Sequence, residues 1–244
     1  MKARSLFAVG MMLCLLVGVC ADRVSAQAKS VEPRKTTITQ RPPGLPEGVN
    51  PALLLPRQLR DQAPETYDVK FTTTKGDFTV RVTRAWAPLG ADRFYNLVKY
   101  GFYDGCSLFR VVPNFVVQFG ISAYPAVSRA WMNATIKDDP VKGSNKRGYV
   151  TFATGGPNTR TTQVFINLSD GNKQLDSMGF ATFGQVIEGM DVVGKLYSGY
   201  AEATTNRQGE ISEQGNAFLT KNFPKLDSIK TAKIVEAAAP PAKQ

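Results

Sequence analysis

Hydrophobic and polar positions alternate first at Tyr67, Val69 and Phe71, and again at Phe78, Val80 and Val82. Lys75-Gly76-Asp77 separates the two runs, so they predict a β-hairpin. From Trp86 to Tyr100 the period lengthens. Phe94, Leu97 and Val98 share one helical face, and Pro88 suits a first turn. Residues 108–118 are strand-like, with a break at Pro113-Asn114. Pro125 to Met132 predicts a short helix, with Val127 and Trp131 one turn apart. Pro140 to Gly148 reads as a loop. Tyr149 to Ala153, Gln163 to Leu168 and Phe180 to Ile187 predict strands. A helix follows from Gly189 to Tyr197, then a last strand from Lys230 to Val235. No internal repeat is visible. Many short strands with two main helices suggest a closed antiparallel barrel with helical plugs.

The ends of the chain have a different character. Residues 1–26 read as a secretory signal peptide. Lys2 and Arg4 precede an apolar run from Leu6 to Cys20, and Val24-Ser25-Ala26 is a small-residue cleavage pattern before Gln27. The run falls short of the roughly 20 apolar residues of a transmembrane helix. A retained anchor, or lipoprotein cleavage at Cys20, is the lesser alternative. Residues 27–64 carry prolines 33, 42, 43, 46, 51, 56 and 64 and predict an extended or disordered arm. Ala52-Leu53-Leu54-Leu55 is its one apolar knot, suited to docking on the domain. The folded part spans 65–236, and 237–244 forms a disordered tail. Expected localisation is therefore periplasmic or secreted, with no stable membrane insertion after cleavage.

The charge of +10 is spread along the chain. Residues 27–64 alone carry six basic and three acidic side chains, and the signal and tail take more of the excess. That gives no nucleic-acid footprint. The chain contains no histidine, which excludes a Ser-His-Asp triad, a Cys-His pair and histidine-ligated zinc. Catalysis by carboxylates or lysine stays open. After cleavage only Cys106 remains, so no internal disulfide is expected, and Cys106 reads as an inert packing residue.

Candidate chemistry lies in two stretches, 109–120 and 156–167. Alternation over Gln163 to Leu168 puts Gln163 and Phe165 on one face, and Val164, Ile166 and Leu168 on the other, as core. Arg110 and Gln118 flank the bend that re-aims Phe115. Taken singly, Arg110 reads as a surface arginine in an ion pair, and Phe115 and Phe165 as core packing. Together they suit an apolar slot edged by a few hydrogen-bonding groups.

Residues 67–235 resemble the cyclophilin-type peptidyl-prolyl cis-trans isomerases. The matching pieces are Gly101-Phe102-Tyr103-Asp104-Gly105, the run from Phe109 to Phe115 with Gln118, and Gly156-Pro157-Asn158-Thr159 with Gln163 to Asn167. Leu175-Asp176 and the run from Phe183 to Val193 complete the set. They occur in family order across nearly the whole domain. The resemblance implies a mainly β fold, a closed eight-stranded antiparallel barrel capped by two α-helices, with the groove on its outer face. It implies that Arg110 is the catalytic arginine and that Phe115 and Phe165 line a proline pocket. Val116 stands where the family often has methionine. Gln118 and Gln163 would bind substrate backbone, and the backbone at Ala153 and Thr154 would align the peptide. Leu175 would sit on the far wall.

The implied substrates are proline-containing polypeptides, exported proteins assisted in folding. No cofactor or metal is implied, and a monomer is expected. The chain departs from the family pattern at several points. Gln174 replaces an aromatic residue, Thr154 a common asparagine, and Phe119 a glycine. The loop 177–182 has one extra residue, so Gly179 or Phe180 takes the place of the missing histidine. The altered far wall leaves a second reading, a non-catalytic proline-peptide-binding or chaperone module on the same fold.

Overall fold

A computed structural model describes residues 45–235. The expected signal peptide, the first part of the proline-rich arm and the tail from 237 lie outside these residues. The hairpin predicted first is present as β1 (Thr66–Thr73) and β2 (Asp77–Thr83). Tyr67 pairs with Val82, Val69 with Val80 and Phe71 with Phe78. Helix α1 (Pro88–Lys99) follows. The 108–118 segment divides into β3 (Arg110–Val112) and β4 (Val116–Phe119). Asn114, at φ 60°, turns the chain between them. Then come α2 (Pro125–Trp131), β5 (Tyr149–Phe152), β6 (Val164–Asn167), α3 (Gln174–Ser177) and β7 (Thr182–Glu188). The chain continues as α4 (Met190–Gly194), a 3-10 stretch Ala201–Arg207, α5 (Gln208–Gln214), α6 (Asn216–Asn222) and β8 (Ile229–Val235).

The eight strands form one antiparallel sheet in the order β3-β4-β6-β5-β7-β2-β1-β8. Its two outer strands meet through their leading segments. Ser107 bridges Ser228, Leu108 N donates to Asp227 O at 3.0 Å, and Ile229 N donates to Cys106 O at 2.8 Å. The barrel interior is packed with side chains. Phe71 stacks on Phe78 at 4.8 Å, and Phe94 from α1 meets Phe183 at 4.9 Å and Tyr103 at 5.5 Å. A core filled to this degree holds the strands but leaves binding to the outside of the barrel.

Two parts of the fold differ from expectation. The second half of the arm, from Leu45 to Ala63, is not disordered. Pro51–Leu54 and Pro56–Gln58 are 3-10 turns, and Leu45, Val49, Leu53 and Leu59 join the main core. The Trp131 indole donates to Leu53 O at 2.7 Å, and Asn96 Nδ2 donates to Asp61 O at 2.7 Å. Prolines that forbid long helix or sheet still allow short turns, and the turns bring the apolar knot onto α2 and Asp61 onto α1.

The second difference is the helical segment after α4, which no single periodicity announces. Its apolar residues sit on short pieces broken at Gly215 (φ 62°), where a Cβ would meet Ala123 O at 2.3 Å. Ile211, Phe218, Leu219 and Phe223 pack on Phe109 and Ile121 as a second, separate cluster. The expected helix from Gly189 to Tyr197 is correspondingly reduced to Met190–Gly194.

Candidate active site

Strand register builds the site. Arg110 on β3 is the cross-strand partner of Gln118 on β4, and Gln118 is the partner of Phe165 on β6. Directly opposed residues of antiparallel strands project to the same side. All three therefore leave the outer face of the barrel. Val117, Phe119, Val164 and Ile166 point inward and join the main core, while Leu168 packs against it. Gly120 follows at φ 106°, where a Cβ would meet Thr162 O at 2.4 Å. Only glycine lets β4 leave so close to the residues before β6.

The outer face carries its own apolar cluster. Val116, Phe165 and Leu175 are buried there, and Phe115, Ala153 and Phe180 pack against them. Phe165 meets Phe180 edge to face at 5.7 Å. Of the two residues that could occupy the lengthened loop's site position, Phe180 joins the cluster, while Gly179 is exposed with open space where a Cβ would stand. Phe115 is held at the hairpin turn, its carbonyl accepting from Leu168 N at 2.8 Å and Asn172 Nδ2 at 2.9 Å.

A row of polar groups edges this slot. Arg110 Nη1 donates to Gln118 Oε1 at 3.0 Å, Gln118 Nε2 to Gln163 Oε1 at 2.8 Å, and Gln163 Nε2 to Gln208 Oε1 at 3.0 Å. The Arg110 guanidinium carbon lies 5.4 Å from the Phe115 ring centroid. Its Nε and Nη2 donate to the two oxygens of Glu202 at 2.8 and 2.6 Å. So Arg110 is both the ion-paired arginine of the plain reading and a member of the groove. Hydrogen bonding from Arg110 holds the Glu202 carboxyl below the usual range, against a smaller opposing effect of burial.

Ala153 and Thr154 lie just past the end of β5. Ala153 N is taken by Gln163 O at 2.9 Å. The Thr154 hydroxyl turns into its own loop, bonding Gly156 O and Thr159 Oγ1. Gln174 is exposed on α3. Cys106 is buried away from the groove, and burial pushes its thiol up to about 12. The thiol therefore stays protonated and inert at neutral pH. Among the described residues no group of three or more Cys, Asp or Glu is arranged to hold a metal ion.

The structure adds residues that motif reading missed. Glu202 and Gln208 reach the polar row from the helical segment, and the buried Thr204 hydroxyl of the same segment donates to Phe109 O. Asn145, in the predicted loop, is fully buried. Its Nδ2 donates to Asp176 Oδ1 at 2.8 Å and Phe180 O at 2.9 Å, and its Oδ1 accepts from Thr151 Oγ1 and Asn167 Nδ2. It thus ties the far wall to β5 and β6. Burial would raise the Asp176 carboxyl, but bonds from Ser144 and Asn145 outweigh it and lower it. Nothing local in the sequence marks these residues, because their partners are distant along the chain.

A filled antiparallel barrel with an outer apolar groove, edged by an arginine and two glutamines, is the architecture of a prolyl isomerase. Comparison with known proteins agrees. The family model for cyclophilin type peptidyl-prolyl cis-trans isomerase/CLD matches residues 68–215. A peptidyl-prolyl cis-trans isomerase of Acinetobacter baylyi is 37% identical over 170 residues, covering 68% of this chain and 88% of that protein. Peptidyl-prolyl cis-trans isomerase B of Escherichia coli is 31% identical over 136 residues, covering 52% and 82%. A crystal structure of a cyclophilin type peptidyl-prolyl cis-trans isomerase of Cryptosporidium parvum superposes with a TM-score of 0.53 at 20% identity. It covers 71% of this chain and 99% of that one, and shows the shared fold. The chain belongs to the cyclophilin-type peptidyl-prolyl cis-trans isomerases and is an enzyme of that activity.

Proposed function

We propose that this isomerase rotates X-Pro bonds in exported proteins and so assists their folding, with Arg110 as the catalytic group. The observation that carries the reading is the row Arg110-Gln118-Gln163 along one edge of the Phe115-Phe165-Leu175-Phe180 slot. Amide resonance sets a barrier of ~18–20 kcal/mol to rotation, and uncatalysed exchange takes on the order of 10–100 s. In the twisted state the prolyl nitrogen regains its lone pair. A guanidinium aimed at that nitrogen stabilises the twisted state more than either planar one, as rate acceleration requires. Arginine suits the task because it stays protonated and rigidly forked.

The slot grips the proline ring and excludes water. Gln118 and Gln163 hold the flanking carbonyls, Val116 forms the pocket floor, and the backbone beside Ala153 and Thr154 aligns the chain. The Cryptosporidium protein was also solved in the presence of the dipeptide Ala-Pro. The groove is complete within one chain, which supports a monomer as the working unit. The signal-like pattern at 1–26 supports export to the periplasm or medium.

The test follows cis–trans exchange in a proline tetrapeptide by NMR, and refolding of a proline-limited exported protein. Catalysed exchange without faster refolding would sink the folding role. The mass of the protein recovered from producing cells checks export: a product that keeps residues 1–26 removes that part of the reading.

A further inference from the structure

We infer that Glu202 is a positioning residue for the isomerisation, acting through Arg110, and that the stretch Ala201–Gln214 is part of the catalytic apparatus. The inference rests on the reading of Arg110 as the catalytic group. Glu202 takes the guanidinium by two donors, Nε and Nη2, while Gln118 takes Nη1. Three of the five guanidinium N–H groups are thereby committed, leaving one on each terminal nitrogen for substrate. Thr205 Oγ1 donates to the same carboxylate at 2.6 Å, which fixes its plane. Arg110 is thus held from two sides, by its own sheet and by the helical segment.

The ion pair is not what keeps the segment in place. The Glu202 side chain is 53% exposed, and pairs open to solvent contribute little to stability. The stretch is already anchored by Ile211, which packs with Phe218, Leu219 and Phe223 of the following residues on Phe109 and Ile121, and by Thr204 on the Phe109 carbonyl. What the pair does restrict is a long, flexible side chain that otherwise has to be ordered in each catalytic event. Gln208 closes the other end of the polar row by accepting from Gln163. One continuous stretch of helix therefore braces both ends of the Arg110-Gln118-Gln163 row.

The experiment measures kcat and KM by NMR exchange on a proline tetrapeptide. It compares full-length wild type with Glu202→Ala, Glu202→Gln, Arg110→Ala and the double variant Arg110→Ala/Glu202→Ala. Glu202→Ala is expected to lower kcat roughly tenfold, because preorganisation of one reacting group is lost, with KM and the melting midpoint almost unchanged. Glu202→Gln, which keeps the size and one acceptor oxygen, is expected to recover part of the rate. The double variant should be no slower than Arg110→Ala, since Glu202 acts only through Arg110.

An unchanged or faster kcat in both Glu202 variants, with Arg110→Ala impaired, overturns the positioning role alone. So does a Glu202→Ala loss that persists in full in the Arg110→Ala background. An unimpaired Arg110→Ala overturns the reading of Arg110, and this inference with it.

Discussion

Replacing Arg110 by alanine separates chemistry from fold. Besides the contact of the guanidinium with the Phe115 ring, two polar interactions are lost to the structure. The pair with Glu202 joins a side chain 19% exposed to one 53% exposed, and such pairs contribute about 0–1 kcal/mol. Gln118, which is 7% exposed, loses the donor to its Oε1, and a buried acceptor left unpaired costs about 1–3 kcal/mol. Domains of this kind have ~5–15 kcal/mol of stability, so the variant remains folded at 25 °C. The effect on the reaction is larger. Removing one preorganised donor to a transition state costs roughly 2.7–4 kcal/mol, about 10²–10³ in rate. The assay is NMR exchange on a proline tetrapeptide, with a urea titration of the same sample to verify the fold. A folded variant within about threefold of the wild-type kcat/KM, under 1 kcal/mol of barrier, would refute the role given to Arg110.

Two further outcomes follow from packing. Phe180→Ala removes the ring that meets Phe165 edge to face, a contact of about 0.5–1.5 kcal/mol. KM for proline peptides should rise up to about tenfold, with the main chain still held by Asn145 and Leu175; an unchanged KM would remove Phe180 from the pocket. Leu53→Ala empties a site 2% exposed in the docked arm and should cost about 2–5 kcal/mol in urea unfolding while leaving turnover at 25 °C intact. A loss below about 1 kcal/mol would mean that the arm contributes no core.

Much of the fold was legible in the chain because its signals are local. Alternation at Tyr67-Val69-Phe71 and Phe78-Val80-Val82 needs no partner to be read, and both strands stand where it placed them. Alternation over 163–168 likewise separated Phe165 from Val164 and Ile166, and burial in two different clusters follows that division. The resemblance carried by the ordered motifs implied one groove for Arg110, Phe115, Gln118, Gln163 and Phe165, and these side chains lie together in the fold.

The tertiary structure decided what depends on contacts between distant residues. It packed the Phe180 ring against Phe165 and left Gly179 exposed. It folded residues 45–63 onto the domain, where proline content alone argued for disorder. It also brought Glu202, 92 residues from Arg110 in sequence, into a two-point pair with it, and Gln208 into contact with Gln163. Short helices broken at Gly215 carry no periodicity long enough to read, and a carboxylate on a surface turn looks like any solvated charge. Its meaning comes only from the arginine that the sheet register sets beside it.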